Sequence, residues 1–119
     1  MSVVVPTFRR HELLFRCLNA LLHQDLEPDR YEILVCDDAG ESELERRVLA
    51  FASRYPFLAV RYLKVSPNHG PAAARNVGWR AARHDIIAFT DDDCIPAPGW
   101  LANGLTAIRS ALAVAGRVQ

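Results

Sequence analysis

The chain has 119 residues, half of them hydrophobic and 24% charged, with 14 basic side chains balancing 14 acidic ones. This length allows one domain with a substantial core, and the composition excludes a disordered chain. The neutral balance, with basic residues scattered along the sequence, gives no reason to expect a nucleic-acid partner.

In chain order, the sequence predicts four strands, each followed by a helix. The apolar runs that predict strands lie at residues 3–5, 31–36, 60–65 and 86–89. The segments with apolar residues at helical spacing lie at residues 10–24, 42–55 and 72–83 and from residue 98 onward. The third run alternates apolar and polar residues, which places it near a sheet edge. Ser42 and Glu45 fit a capping box at the start of the second helix.

The alternation of strands and helices predicts the fold class. A repeated β-α pattern implies a mainly parallel sheet with helices on both faces, a Rossmann-like three-layer α/β/α fold. We expect residues 1–119 to form one unit. Residues 113–119 resemble the start of another strand. This predicts that the chain is a piece of a longer one, and that an unpaired strand edge there supports a homodimer.

The three cysteines are odd in number and lack paired spacing, which argues for reduced thiols and against a disulfide framework or a zinc site. Cys17 and Cys36 fall in apolar runs, and we expect both of them and Cys94 to pack rather than react. The sequence shows no signal peptide and no apolar stretch long enough to span a bilayer. We therefore expect a cytoplasmic location or, as part of a longer protein, one at the inner face of a membrane.

Three consecutive aspartates, Asp91, Asp92 and Asp93, directly follow the fourth apolar run. Adjacent like charges repel, so the cluster requires a cation or hydrogen-bond donors to compensate it. In extended backbone Asp91 and Asp93 project to one face, and two carboxylates on one face suit Mg²⁺ or Mn²⁺. The alternative is a solvated acidic turn in which Asp92 or Asp93 caps the next helix. The triplet alone leaves both interpretations open.

Polar residues follow two other strands at the corresponding position. Pro6 and Thr7 follow the first strand, and Asp37 and Asp38 follow the second. Ligands of open α/β sheets bind outside the carboxyl ends of the strands, near the point where the strand order reverses. We therefore expect these residues and the acidic triplet to border one ligand site.

Four sequence motifs carry a resemblance to a known family. They are Val3-Val4-Val5-Pro6-Thr7-Phe8, ILVCDDA at residues 33–39, NHGPAAARNVG at residues 68–78 and FTDDD at residues 89–93. In this order they resemble the nucleotide-binding half of a family 2 glycosyltransferase with the GT-A fold, over residues 3 to 100. The resemblance implies transfer of a hexosyl group from a nucleotide diphosphate sugar, UDP-linked by preference, to an acceptor hydroxyl. It also implies inversion at the sugar and help from a divalent metal, Mn²⁺ or Mg²⁺.

The resemblance further implies roles for individual residues at the nucleotide. Pro6 and Thr7 would lie against the base, and Asp38 would hydrogen-bond a uracil ring. Asp37 would either assist Asp38 or hold the turn. Arg75 would reach the base or the diphosphate.

Gly70 and the acidic residues take the remaining implied roles. Gly70 shapes the turn at the nucleotide, before the helix that carries the basic residue. In the family's acidic motif one residue reaches the ribose and the last coordinates the metal. Asp91 and Asp93 correspond to this motif. We therefore expect Asp91 and Asp92 to contact the nucleotide, and Asp91 and Asp93 to bind the metal. A metal held there would stabilise the charge that develops on the diphosphate leaving group.

The resemblance also implies what the chain lacks. The general base of such a transfer lies beyond the matched region in the family, so no catalytic residue is assigned within this sequence. The acceptor, a glycan or a lipid, would bind a half that is missing. We expect residues 1–119 to be the nucleotide-sugar-binding portion, truncated before the acceptor-binding half.

Two other functions stay open. One is a catalytically silent module that binds nucleotide or associates with another chain. The other is a receiver-type signalling domain, because Asp37 and Asp38 resemble its acidic pair. That pair follows the first strand in receivers, however, and here the third strand ends at Ser66 and Pro67 without an aspartate. The receiver interpretation is therefore less favoured.

Overall fold

The computed structural model describes residues 1–65 and 70–118, with side chains described through Ser110. Within these residues four strands alternate with four α-helices, as the sequence predicts. The strands are β1 (Ser2–Thr7), β2 (Glu32–Asp37), β3 (Ala59–Lys64) and β4 (Ile87–Phe89). The helices are α1 (His11–Leu22), α2 (Ser42–Arg54), α3 (Gly70–Ala81) and α4 (Trp100–Val118), and a short 3₁₀ turn at Pro28–Arg30 precedes β2.

The strands form one parallel sheet in the order β3-β2-β1-β4. β1 lies inside the sheet, with Val4 opposite Leu34 of β2 on one side and Phe89 of β4 on the other. The chain adds β2 and β3 outward on one side of β1 and then crosses to the other side for β4. This reversal opens a crevice at the carboxyl ends of β1 and β4, where ligands of such sheets bind. β3 is an edge strand, as its alternating pattern predicts.

Helices cover both faces of the sheet, so the predicted three-layer α/β/α architecture is confirmed. Side chains alternate along a strand, and Val3 and Val5 face a core shared with α1, α2 and α4. Val4 faces the opposite side, where α3 is the helix that packs against the sheet among the described side chains. Burial of apolar side chains is the main driving force for this arrangement. The fully buried leucines of the first layer are Leu14, Leu18, Leu21, Leu44 and Leu101.

Helix α3 approaches the sheet closely at Gly78. A methyl group at this position would overlap Val4 Cγ1 and lie 2.9 Å from Cys36 Sγ. The small residues of this segment predict such an approach, and Ala74 is likewise buried. Because α3 rests directly on the sheet, its amino end at Gly70 is held beside the end of β1.

A buried carboxylate holds the amino end of the sheet together. Glu32 accepts hydrogen bonds from the Ser2 hydroxyl (2.7 Å), the Arg83 backbone N–H (2.7 Å) and Arg61 Nη1 (3.3 Å). Burial alone would raise the pKa of Glu32, but these donors outweigh it and hold the pKa below its usual value. The network joins β1, β2 and β3 at the end of the sheet opposite the crevice.

The structure of α4 differs from one of the sequence predictions. Residues 113–118 continue this helix, so the strand predicted there is wrong. The predicted homodimer through a C-terminal strand therefore has no strand to form it among the described residues. A short run of alanine and valine fits a helix or a strand by periodicity alone, and alanine is the best helix former. Neither α4 nor any other described helix has the length and apolar character needed to cross a membrane.

Candidate functional site

An open cleft of about 620 Å³ lies at the carboxyl ends of β1 and β4. Its lining contains every residue that the sequence analysis assigned to the nucleotide or the metal, except Asp37. The lining residues are Pro6, Thr7, Phe8, Arg10, Asp38, Gly70, Pro71, Ala74, Arg75, Asp91, Asp92 and Asp93. The strand-end residues and the acidic triplet thus border a single cleft.

The acidic triplet lies in a turn rather than in a strand. β4 ends at Phe89, and the backbone N–H of Cys94 bonds the carbonyl oxygen of Asp91 at 3.2 Å. The extended backbone expected for the triplet is therefore wrong, although Asp91 and Asp93 still share a side. Because α4 begins only at Trp100, neither Asp92 nor Asp93 caps it. The interpretation of the triplet as a helix cap is therefore excluded.

Asp92 is anchored inside the protein. The residue is 5% exposed, and Oδ2 accepts a 2.9 Å hydrogen bond from the buried hydroxyl of Thr7. Arg10 Nη1 lies 3.4 Å from Oδ1. A buried charge is tolerated when it is hydrogen-bonded and paired in this way. Asp92 therefore ties the acidic turn to the end of β1 and positions its two neighbours.

Asp91 and Asp93 are exposed at the surface of the cleft. Their carboxylate oxygens and the sulfur of Cys94 include atoms that all lie within 4.8 Å of one another. Hard cations such as Mg²⁺ and Mn²⁺ use one or two protein carboxylates and share the remaining positions with water and phosphate. Asp91 and Asp93 fit that donor set, since both are solvent-accessible and stand on a turn that Asp92 fixes.

Cys94 is exposed, in contrast to Cys17 and Cys36. The prediction that Cys94 packs is wrong, because the acidic turn carries its side chain to the surface, 3.7 Å from Asp93 Oδ1. The predicted burial of the other two thiols is confirmed. Burial raises the pKa of each of them to about 12. Cys17 also lies beneath the turn, with Sγ 3.7 Å from the carbonyl oxygen of Asp91.

Asp37 faces away from the cleft and holds the β2–α2 turn. Its carboxylate accepts the backbone N–H groups of Ala39 (3.0 Å) and Glu41 (2.9 Å). The predicted capping box is wrong, because Ser42 is already the first residue of α2 and the N-cap makes no side-chain hydrogen bond. The carboxylate of Asp37 satisfies the N–H of that N-cap residue instead. Of the two roles that the resemblance implies for Asp37, the structure favours holding the turn.

Asp38, the next residue, points into the cleft. Its Oδ1 atom is buried and has no hydrogen-bond partner among the described residues. Buried polar atoms are nearly always paired, so this oxygen is a candidate acceptor for a donor on a ligand or for a water molecule. The adjacent aspartates 37 and 38 therefore have different environments, one inside the turn and one open to a ligand.

The amino end of α3 forms the far wall of the cleft. Gly70 and Pro71 line it with Arg75, whose side chain is exposed. Gly70 has φ of +75°, a left-handed conformation that glycine adopts without strain. Arg75 also borders an adjoining hollow of about 330 Å³ beside Asp91. Asn68 and His69, which belong to the third sequence motif, lie outside the described residues.

Four lining residues were not assigned to the site from the sequence, namely Phe8, Arg10, Pro71 and Ala74. The ring of Phe8 is 53% exposed and borders the cleft next to Thr7. Arg10 follows β1 and pairs with Asp92, which is 82 positions away. Three adjacent carboxylates need a nearby cation, so the sequence suggests that a basic residue contacts them. It does not distinguish Arg10 from several other arginines.

The charges lining the cleft do not balance. Four carboxylates face two guanidinium groups, a net charge of minus two when all are ionised. A low-dielectric cleft of one sign concentrates ions of the opposite sign. This cleft therefore attracts cations and, without one, repels an anionic phosphate.

The parallel sheet and the cleft at its reversal point define a doubly wound α/β domain with an acidic cleft. A family model described as "Glycosyl transferase family 2" matches residues 2–119. The chain belongs to the family 2 glycosyltransferases, and the family predicted from the four motifs is confirmed.

Characterised relatives match most of this chain with a small part of their own. Glycosyltransferase AglE of Haloferax volcanii is 32% identical over 108 residues, covering 91% of this chain and 35% of AglE. Chondroitin synthase of Escherichia coli is 33% identical over 102 residues, covering 85% of this chain and 14% of the synthase. The chain thus spans about a third or less of the length of these relatives.

Solved structures share the fold. The mannosyltransferase PcManGT from Pyrobaculum calidifontis, in complex with GDP-Man and Mn²⁺, aligns with a TM-score of 0.80 and 31% identity. The alignment covers 87% of this chain and 30% of that one. S. aureus TarS 1-349, in complex with UDP, aligns with a TM-score of 0.76 and 24% identity over 92% of this chain and 32% of that one. The predicted GT-A fold class is therefore confirmed.

Proposed function

We propose that the chain is the donor-binding portion of a glycosyltransferase. It binds a nucleotide diphosphate sugar with a divalent metal, for inverting transfer of a hexosyl group to an acceptor hydroxyl. One observation carries this proposal, the meeting in a single cleft of the unpaired Asp38 oxygen and the exposed Asp91 and Asp93 carboxylates. The Asp38 oxygen can accept a hydrogen bond from a ring N–H group, and the Asp91 and Asp93 carboxylates can bind a cation.

The base would bind at the end of the cleft that β2 forms. Oδ1 of Asp38 accepts one hydrogen bond, and the N3–H group of uracil is a donor of the required kind. Pro6 and Thr7 form the adjoining wall, and Arg75 faces them from α3. Guanine also presents N–H groups to a carboxylate, and the relative PcManGT is in complex with GDP-Man. UDP is the nucleotide that we favour, with GDP as the direct competitor in the test.

The diphosphate would lie between the acidic turn and the amino end of α3. Asp91 and Asp93 would hold Mn²⁺ or Mg²⁺, with Asp91 and Asp92 also toward the nucleotide. A metal bound there would stabilise the negative charge on the leaving diphosphate. The chain's own residues orient the donor, because Thr7 and Asp92 fix the turn and α3 fixes Arg75.

The remaining parts of the transfer would belong to another region. This chain matches only 35% of AglE and 14% of chondroitin synthase, so both relatives are much longer. We place the general base and the site for a glycan or lipid acceptor in that additional length, with residues 1–119 as the nucleotide-sugar portion. For the whole protein we propose that the donor site lies in the cytoplasm, or at the inner face of a membrane.

Calorimetric titration of UDP, GDP and dTDP, each with and without Mn²⁺, tests the proposal. We expect UDP to bind only with Mn²⁺, because the cleft otherwise repels a diphosphate. Asp93→Ala should abolish this binding, and Glu27→Ala, which removes an exposed acidic residue outside the cleft, should leave it unchanged. Binding of none of the three nucleotides would favour a catalytically silent module, and binding that ignores Asp93→Ala would contradict the metal site.

A further inference from the structure

Arg10 places a positive charge directly against the acidic turn. It is the last residue before α1, its side chain is 54% exposed, and Nη1 lies 3.4 Å from Asp92 Oδ1 and 4.0 Å from Asp93 Oδ2. One nitrogen thus stands between the buried anchor of the turn and an exposed carboxylate that would hold the metal. The resemblance to the family did not assign this residue.

The other nitrogens of Arg10 have no partner among the described residues. A guanidinium carries five N–H donors in a planar fork, and only Nη1 contacts the acidic turn. The side chain lines the cleft, so Nε and Nη2 can reach a ligand while Nη1 stays with Asp92. Arginine binds phosphate with parallel N–H bonds from such a fork.

A cation bound between Asp91 and Asp93 would share Asp93 with Arg10. Two positive charges that close repel each other, so Arg10 weakens metal binding while no anion is present. Once a diphosphate has entered, the same charge attracts it. Arg10 therefore weakens the binding of the metal alone and strengthens the binding of the nucleotide.

From this geometry we infer that Arg10 couples the two ligands of the proposed donor site, an inference that rests on the proposed function. In the metal-free cleft Arg10 is the counter-ion of Asp93. With metal and nucleotide bound, it keeps its contact with Asp92 and directs its free nitrogens to the diphosphate. Arg10 is thus both a positioning residue for the acidic turn and a phosphate contact.

The variant Arg10→Gln separates this role from a merely structural one. Without nucleotide, it should bind Mn²⁺ about threefold more tightly, because a nearby like charge is gone. With saturating Mn²⁺, it should bind UDP about tenfold more weakly, because a charge-assisted contact is lost. If Arg10 only held the turn, the substitution would weaken both affinities. Arg10→Lys should keep the metal affinity of the wild type and show an intermediate UDP affinity, since lysine lacks the planar fork.

Mn²⁺ binding is read from the loss of the free-ion signal in electron paramagnetic resonance, and UDP binding from calorimetry. Arg9→Gln is the matched control, because Arg9 is the neighbouring arginine and does not line the cleft. Opposite shifts in Arg10→Gln, with no shift in Arg9→Gln, are the expected result. Equal shifts in the two variants, or two shifts of the same sign in Arg10→Gln, would overturn the coupling role while leaving the donor site intact. Failure of the wild-type chain to bind Mn²⁺ and UDP would overturn the proposed function and the inference together.

Discussion

The phenolic hydroxyl of Tyr62 donates a 2.6 Å hydrogen bond to Oδ2 of Asp37. Burial, followed by this contact with a carboxylate, raises the pKa of Tyr62, so the phenol stays protonated as the donor. The same carboxylate also accepts two backbone N–H groups of the β2–α2 turn. Asp37 is thereby fully engaged inside the protein, whereas Oδ1 of its neighbour Asp38 has no hydrogen-bond partner among the described residues.

The two adjacent aspartates should respond differently to substitution. Asp37→Ala leaves two backbone donors and a phenol unpaired, and we expect the free energy of unfolding to fall by about 3 kcal/mol. Asp38→Ala removes an already unpaired atom, so stability should change little while UDP binding is lost. Urea denaturation and calorimetry measure the two effects. Equal destabilisation by both substitutions would contradict this division of roles.

Gly78 and Gly104 form a second matched pair. Gly78→Ala would drive a methyl group into Val4 and Cys36, and we expect a loss of about 3 kcal/mol from overpacking. Gly104 lies in α4, and apart from its chain neighbours and the nearby backbone of that helix no described atom lies within 4 Å of the position that an added methyl group would take. Gly104→Ala should therefore stabilise the protein by about 0.5–1 kcal/mol through helix propensity. Urea denaturation of both variants at pH 7 checks the opposite signs. A neutral Gly78→Ala would show that α3 can move away from the sheet.

Glu32 should make the stability of the protein depend on acid pH. Its folded pKa lies below the reference value of 4.5, so the unfolded chain binds the proton more readily. The stabilisation is therefore complete above about pH 5 and is lost as the pH falls through the lower folded pKa. Glu32→Gln should cost about 2 kcal/mol at pH 7 and show a smaller further loss between pH 6 and pH 3.

Urea denaturation across this pH range measures the effect of Glu32. The control is Glu27→Gln, a substitution at an exposed residue. The control should keep the stability and the pH slope of the wild type. A Glu32→Gln variant with the wild-type slope would place the acid sensitivity at another carboxylate.

The three thiols should differ sharply in reactivity. Thiolate is the nucleophile, and burial raises the pKa of Cys17 and of Cys36 to about 12. Only Cys94 is exposed, so native protein at pH 8 should release about one equivalent of colour from Ellman's reagent, and unfolded protein about three. Cys94→Ser should remove the rapid phase. A second rapidly reacting thiol in the native protein would contradict the burial of Cys17 and Cys36.

The layers and the cleft are predictable from the sequence because burial imposes a pattern on it. Apolar runs of strand length and helical spacing locate the elements, and the β-α order implies parallel strands whose carboxyl ends meet. Thr7 ends β1, and Asp38 and Asp91 follow β2 and β4, at the same edge of the sheet for that reason. The strand predicted at residues 113–119 is wrong over residues 113–118, because a few alanines and valines carry no periodicity that separates a helix from a strand.

The division of roles within the site is harder to predict. Alternation along a strand says that Asp37 and Asp38 point to opposite sides, but not which side holds the turn. Cys94 follows a turn whose direction depends on Asp92 and Thr7. Arg10 is one basic residue among many in the sequence, and only its contact with a residue 82 positions away distinguishes it.

The hydrogen bond from Thr7 to Asp92 joins residues 85 positions apart. Bringing such distant segments together costs conformational entropy before the contact repays it, and β4 can pair with β1 only when that loop closes. We therefore expect the cleft to be among the last features to form as the chain folds, and partly folded species to bind nucleotide weakly. A nucleotide that binds only the completed sheet would stabilise it by mass action, so refolding in the presence of ligand should give a higher yield of native protein.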